Sequence, residues 1–228
     1  GRYDHGGQAS QAVPLFTGLV PKEKENLVLA GLLNAIDTKE GHIDAGVVGT
    51  KAIIQVLMDY QQVDVLFEMA NKRTFPSWGY WVDELNANTM FQNWDGSQSR
   101  NHIMFGTIGD YFFKGLAGIR PIDEPPGFKR FIIEPSLASE IEWVEAGHNS
   151  PYGMIKSHWR RTSGQVELSL TVPSNTVAEL RLPANNKLLP VVEQGASVLF
   201  ERVSDEKGGE WFMADLPGGN YQIKQKVE

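Results

Sequence analysis

IDEPPGFKRFIIEP, residues 122–135, is where this chain changes character. Pro125, Pro126 and Gly127 interrupt regular structure, as a linker does. Before them apolar residues recur at a spacing of three to four, the period of a helix. From Phe128 onward they alternate, the period of a strand. The stretch therefore predicts two parts of different class, a helical part at 1–122 and a β part at 123–228. The expected fold class is α+β and multidomain.

Upstream of that boundary the spacing predicts five helices. Gln8 to Leu19 is the first, broken at Gly18 and Pro21. Pro21 opens the second, with Lys22, Glu23, Lys24 and Glu25 in its first turn and Leu27, Val28, Leu32, Leu33 and Ile36 on one broad face. Gly41 ends it. The loop GHIDAGVVG follows at 41–49, then helices over about 48–60 and 63–71. The last runs from Asn101 to Ile119, with Phe105, Ile108, Phe112, Leu116 and Ile119 in phase and Gly106, Gly109 and Gly115 allowing close approach. Short loops between helices imply antiparallel neighbours.

Downstream, FKRFIIEP, IEWVEAGH, GMIKSHWRR, QVELSLTVP, VAELRLPA, SVLFERV, EWFMADL and NYQIKQK read as strands with Gly, Pro, Asn and Ser turns between them. Val166, Leu168 and Leu170 alternate with Glu167, Ser169 and Thr171, which gives one buried and one wet face. Short strands in such number predict an antiparallel β-sandwich.

Composition narrows the function. With 228 residues, 41% hydrophobic and 21% charged, the chain is ordinary globular protein. Its net charge of −7 comes without a basic block to neutralise phosphates, so nucleic acid is not an expected partner. No apolar run approaches the ~20 residues of a membrane span. There is no cysteine, which removes disulfides, thiolate metal sites and cysteine nucleophiles. The five histidines lack metal-ligand spacing, and there is no GxSxG elbow, phosphate loop or dinucleotide fingerprint. Neither a metal nor a cofactor is expected.

What remains is aromatic rings beside carboxylates and amides. Residues 74–101 carry Phe75, Trp78, Tyr80, Trp81, Phe91 and Trp94 interleaved with Asp83, Glu84, Gln92, Asn93 and Asp95. A sugar offers C–H faces to stack on rings and hydroxyls to hydrogen-bond, so both residue kinds in one concave place suit a carbohydrate ligand. The bland alternative is a core cluster with a polar loop behind it. Asp44, Asp83, Glu84, Asp95 and Asp110 lie in or near helix-end loops. Carboxylates with aromatic walls point to glycoside chemistry first and binding second. Asp95 before Gly96 is also an ordinary turn residue, and His42 and His102 taken singly are structural histidines by default.

The residues also resemble a known family. GHIDAGVVGTKAIIQVLMDYQQVDVLFEMANKRTFPSWGYWV (41–82), NHIMFGTIGDYFFKGLAGI (101–119), PGFKRFIIEP, SPYGMIKSHWRR and LTVPSNTVAELRLP, in that order, are similar to the C-terminal part of bacterial α-L-rhamnosidases of glycoside hydrolase family 78. The resemblance covers nearly the whole chain. It implies part of an (α/α)6 toroid followed by a β-sandwich, and hydrolysis of terminal α-L-rhamnose with inversion. In that mechanism one carboxylic acid protonates the leaving oxygen while a carboxylate ~6.5–9.5 Å away activates water. By position it implies a substrate contact at His102, ring walls at Trp78, Trp81 and Trp94, and a pocket rim at the His42–Gly46–Gly49 loop, with Asp95 nearby.

Two departures from the family follow. The family's base is a Glu in a Thr-x-x-Glu-x-Trp frame, and here the frame reads Thr89 to Trp94 with Gln92 at the base position. An amide orients water but takes no proton. The substitution is natural, or engineered to trap substrate, or the register shifts and Glu84 or Asp95 takes the role; the first is the reading adopted. Secondly, residues 1–122 hold fewer than half the helices of six hairpins, and the family's general acid lies in the other half. The expected partner in building the site is thus a missing N-terminal half of the same polypeptide, beside a carbohydrate ligand. Two other readings stand: a carbohydrate-binding relative that has lost hydrolysis, and a lectin-like sandwich using Trp143, Trp159 and Trp211.

Overall fold

Pro21, Gly41 and Gly46 cut the first helices to length. The computed structural model describes residues 2–184 and 187–226 and divides into two units, Gly1–Tyr111 and Phe112–Glu228. In the first, α1 (Gln8–Phe16) is followed by a 3₁₀ turn at Lys22–Lys24 that Pro21 introduces, and then by α2 (Glu25–Asp37). Gly41, at φ +77°, closes the end of α2 by returning its N–H to Ile36 O at 3.0 Å. Gly46 then stands extended before α3 (Val47–Asp59), and α4 (Val63–Ala70) follows. α1 packs on both α2 and α3. Its approach to α3 is close because Gly49 has no side chain: a Cβ there would sit 2.7 Å from Ala9 Cβ.

Burial follows the helical period with one exception. Val28, Leu32 and Ile36 of α2 and Ile53, Val56 and Leu57 of α3 are buried, each worth roughly 1.5–3 kcal/mol of transfer. Leu27, expected on the same face, is 57% exposed; Leu29 takes its place in the core.

Two segments differ from the sequence expectation. α5 (Trp78–Asp83) is an additional short helix, with Ser77 Oγ accepting from the Tyr80 N–H at 2.9 Å as its N-cap. Its signal, a serine after Pro76 and ahead of a run of rings, was masked by the polar residues that follow. The expected helix over 101–119 is instead a 3₁₀ turn (Ile103–Thr107), the single-turn α6 (Ile108–Asp110), a π-helical turn (Tyr111–Leu116) and the start of a strand. The glycines that permit close approach also weaken the helix by about 0.5–1 kcal/mol each relative to Ala. Gly118, at φ +75°, ends it outright.

The second unit holds β1 (Ile119–Pro121), β2 (Arg130–Ile133), β3 (Trp143–Ser150), β4 (Gly153–Thr162), β5 (Gln165–Pro183), β6 (Val191–Gln194), β7 (Glu201–Ser204) and β8 (Glu210–Lys226). QVELSLTVP and VAELRLPA are two arms of the one long strand β5, and EWFMADL and NYQIKQK are two arms of β8. β5 and β8 pair antiparallel along their length, with a register shift between Val172 and Val177. On one side of that irregularity the order is β3-β4-β5-β8-β6, and on the other β1-β2-β5-β8-β7. Two strands thus run through both layers of the sandwich. At the corner Pro173 adds no N–H to the ladder, and Thr176 Oγ1 donates to Pro173 O at 2.7 Å. One pairing is not antiparallel: β2 lies parallel to β5, Arg130 opposite Val177. A sequence pattern of alternation marks which residues face inward and says nothing about strand direction, so this pairing was not legible.

The core of the unit joins Phe131, Ile133, Trp159, Leu168, Leu180, Phe212 and Leu216. Trp159 is fully buried, its indole N–H on Leu116 O at 2.8 Å, and Trp211 is 5% exposed with its N–H on Asp205 at 2.7 Å. Neither is offered to a ligand. Of the three sandwich tryptophans only Trp143 is open, at 61%.

Candidate functional site

Helix ends and the loop after α5 carry the groups that gather at one cavity of the helical unit. The polar residues of 86–101 fold back on themselves rather than continuing a helix. Gln92 N donates to Ser99 O at 2.8 Å, and His102 N to Met90 O at 2.8 Å. These bonds return the loop past its start and set Gln92, Trp94 and His102 along one wall. The loop before α3, Ile43 to Val47, also lines it, with Ala9 of α1, Phe75 and Pro76. The cavity measures about 700 Å³, within the ~300–1,000 Å³ common for small-ligand sites.

The aromatic set divides by role. Trp94 and Phe105 face the cavity, with ring centroids 4.2 Å apart. Trp81 stands behind them at 2% exposure, 4.8 Å from the Trp94 ring and 5.5 Å from Phe105. Trp78 meets Trp94 edge-on at 5.1 Å. All three indole N–H groups are satisfied by backbone: Trp78 on Phe105 O (3.1 Å), Trp81 on Trp94 O (2.8 Å), Trp94 on Ala45 O (2.8 Å). The rings therefore brace the cavity by packing, while the Trp94 donor ties the aromatic layer to the loop before α3. Trp78 and Trp81, expected as ring walls, do not line the cavity. The aromatic cluster and the polar face, set against each other as alternatives from the sequence, are two sides of one layer.

Replacing Trp81 by Phe keeps a ring but removes the donor to Trp94 O. The expected cost is about 1–2 kcal/mol, read as a lowered urea midpoint with unchanged slope.

The remaining predicted residues lie as follows. The side-chain oxygen of Gln92 accepts from the Ser99 N–H at 3.4 Å, and its amide nitrogen makes no hydrogen bond among the described residues. The ring of His102 is half-buried at the cavity and makes no hydrogen bond among the described residues. His42 lines an adjoining depression, where its Nδ1 meets Lys39 O at 3.0 Å and its Nε2 meets Thr74 Oγ1 at 2.7 Å. Asp95 is exposed and outside the cavity lining. The Ser97 hydroxyl, and then the Ser97 N–H, hold its carboxyl below the ordinary range, which is the signature of a turn. Glu84, at the end of α5, is also exposed and outside the lining. The carboxylate the cavity does contain is Asp44, one of the five loop carboxylates that the sequence offers as candidates.

Among the described residues no group of three or more His, Asp or Glu side chains is disposed to hold a metal, and no helix is long and apolar enough to cross a membrane.

Helical hairpins that present an aromatic and amide wall from their loops, followed by a β-sandwich, define the class. Residues 1–116 match the bacterial alpha-L-rhamnosidase 6 hairpin glycosidase domain, and residues 118–197 match the bacterial alpha-L-rhamnosidase C-terminal domain. The chain belongs to the bacterial α-L-rhamnosidase family. It is 31% identical over 190 residues to an α-L-rhamnosidase of Streptomyces avermitilis, covering 78% of this chain and 18% of that one. It is 30% identical over 225 residues to one from Alteromonas sp., covering 89% and 24%. The crystal structure of the Streptomyces avermitilis α-L-rhamnosidase complexed with L-rhamnose superposes with a TM-score of 0.84 at 28% identity, over 99% of this chain and 22% of that one. The chain thus spans roughly a fifth to a quarter of the length of these relatives.

Proposed function

We propose that this chain forms part of a glycoside hydrolase that cleaves terminal α-L-rhamnose by inversion, and supplies the wall of its sugar site on the side of the attacking water. The observation that carries this is the convergence of Gln92, Trp94 and His102 on one cavity. The family membership supports it, as does the Streptomyces avermitilis relative whose structure holds L-rhamnose. In this reading Trp94 stacks on the C–H face of the sugar ring and the His102 ring bonds its hydroxyls. Trp78 and Trp81 act from behind as supports. Gln92, at the position of the family's base, orients the attacking water, and because an amide takes no proton the one this water loses passes to bulk water. The general acid and the rest of the ring come from residues outside this chain, the counterpart of the N-terminal half expected from the sequence.

A second reading is favoured by Gln92 itself: a rhamnoside-binding relative that no longer hydrolyses. An amide satisfies a hydroxyl or a water as well as a carboxylate does, but is not basic at any working pH.

Titration with L-rhamnose, followed by tryptophan fluorescence and calorimetry, tests the shared part of both readings. Saturable binding that shifts the indole signal is expected, with D-glucose binding more weakly. Heat and fluorescence that do not saturate in the wild-type chain would remove the sugar site from both.

A further inference from the structure

Gln8 is 1% exposed, and both ends of its amide reach one distant loop, with a longer bond from Nε2 to Ala35 O of α2 at 3.5 Å. From the first turn of α1, Nε2 donates to His42 O at 2.8 Å and Oε1 accepts from the Asp44 N–H at 2.9 Å. On its far side the same loop is held by the Trp94 indole, through Ala45 O. The bare Gly49 at the start of α3, against Ala9, keeps the two helix starts close enough for Gln8 to reach. The backbone of residues 42–45 is therefore fixed at three points. Between them the loop carries Asp44, the single carboxylate among the described residues that line the cavity. Asp44 Oδ2 is paired with Lys39 at 2.8 Å, and the side chain remains 53% exposed.

We infer that Asp44 is a hydroxyl-binding residue of the sugar site and that Gln8 is the positioning residue that aims it. The inference rests on the rhamnoside reading above for the ligand and on the geometry of the clamp for the role of Gln8. An ionised carboxylate accepts hydrogen bonds only, and a sugar rim of hydroxyls supplies donors. A side chain of similar size without the amide would leave His42 O and the Asp44 N–H unpaired. The loop would then move to regain partners, taking Asp44 with it.

Three variants of the 228-residue chain separate the roles. Gln8→Leu removes both hydrogen bonds to the loop and the longer one to Ala35 O. It is expected to speed amide hydrogen exchange at Asp44 at least about tenfold and to weaken L-rhamnose binding by about five- to tenfold. Asp44→Asn keeps the backbone clamp, so exchange at that amide stays slow while binding weakens by about tenfold. Gln8→Glu retains the acceptor for the Asp44 N–H and is expected to preserve its protection while losing the bond to His42 O. Unchanged exchange in Gln8→Leu, or wild-type affinity in Asp44→Asn, overturns the assignment. Should Gln8→Leu not fold, loss of protection at the Asp44 amide in Gln8→Glu, whose carboxylate keeps the acceptor, overturns it. A wild-type chain that binds no rhamnose defeats the proposed function and the role of Asp44 together, and the exchange data alone then decide Gln8.

Discussion

Gly118→Ala is expected to destabilise the β unit by about 2–5 kcal/mol, the sum of two costs. The first is conformational. Gly118 lies at φ +75°, a region that costs an L-residue roughly 1–2 kcal/mol. The second is steric. A Cβ there would stand 2.3 Å from Glu134 C and from Pro135 N. These are backbone atoms between β2 and the next turn, and they cannot rotate aside. Glu134 N in turn donates to Gly118 O at 2.9 Å, so any shift also strains a ladder bond. Overpacking of this kind costs about 1–3 kcal/mol. Gly127→Ala provides the control. It has φ +80° and nothing within 4 Å of its Cβ, so it bears the conformational cost alone. Urea unfolding of both variants should show the larger loss at Gly118. Equal losses would mean the backbone there yields.

Gln92→Glu is expected to raise hydrolysis of an aryl α-L-rhamnoside by about 10²–10⁴, the usual worth of a general base. The measurement needs a polypeptide that carries the remaining hairpins, because the acid partner is proposed to lie there. The pH profile gives the sign. A base must be ionised, so the gained rate is absent below the carboxylate pKa of ~4.3, appears as pH rises through it, and falls again only where the acid loses its proton. The wild-type chain should lack the acidic limb. A carboxylate would also remove the amide nitrogen of Gln92 as a donor to the ligand while keeping an acceptor for the Ser99 N–H, so a modest loss of ground-state affinity should accompany the gain. No gain in rate would count against the placement of Gln92 at the base position.

The outcome of these two experiments depends on features of different legibility. Gln92 is proposed from the Thr89–Trp94 frame and the family it resembles, because a motif preserves order and spacing. The effect of Gly118 was not visible in the sequence. A glycine in a helical pattern is ambiguous until the atoms of Glu134 and Pro135, sixteen and seventeen positions on, are seen against it. The same holds within the site. Trp78, Trp81 and Trp94 were equal in sequence, and only packing shows that Trp94 faces the cavity while Trp81 is at 2% exposure behind it.

The amino-acid order by itself carried the two periods, helical spacing in the first part and alternation from Phe128; that β1 already stands at Ile119–Pro121 and that the units divide between Tyr111 and Phe112 it did not show. It determined the site's chemistry too, since rings, amides and an imidazole are properties of residues. Which of them meet was decided only by tertiary structure. The clamp of Gln8 on His42 and Asp44, the tie from Trp94 to Ala45, the parallel step from β2 to β5 and the folding of β5 and β8 through two layers all join residues far apart in the chain. Periodicity reports the environment one element must find. It carries no term for the partner that provides it, and hydrogen bonds of this kind are directional contacts between specific partners.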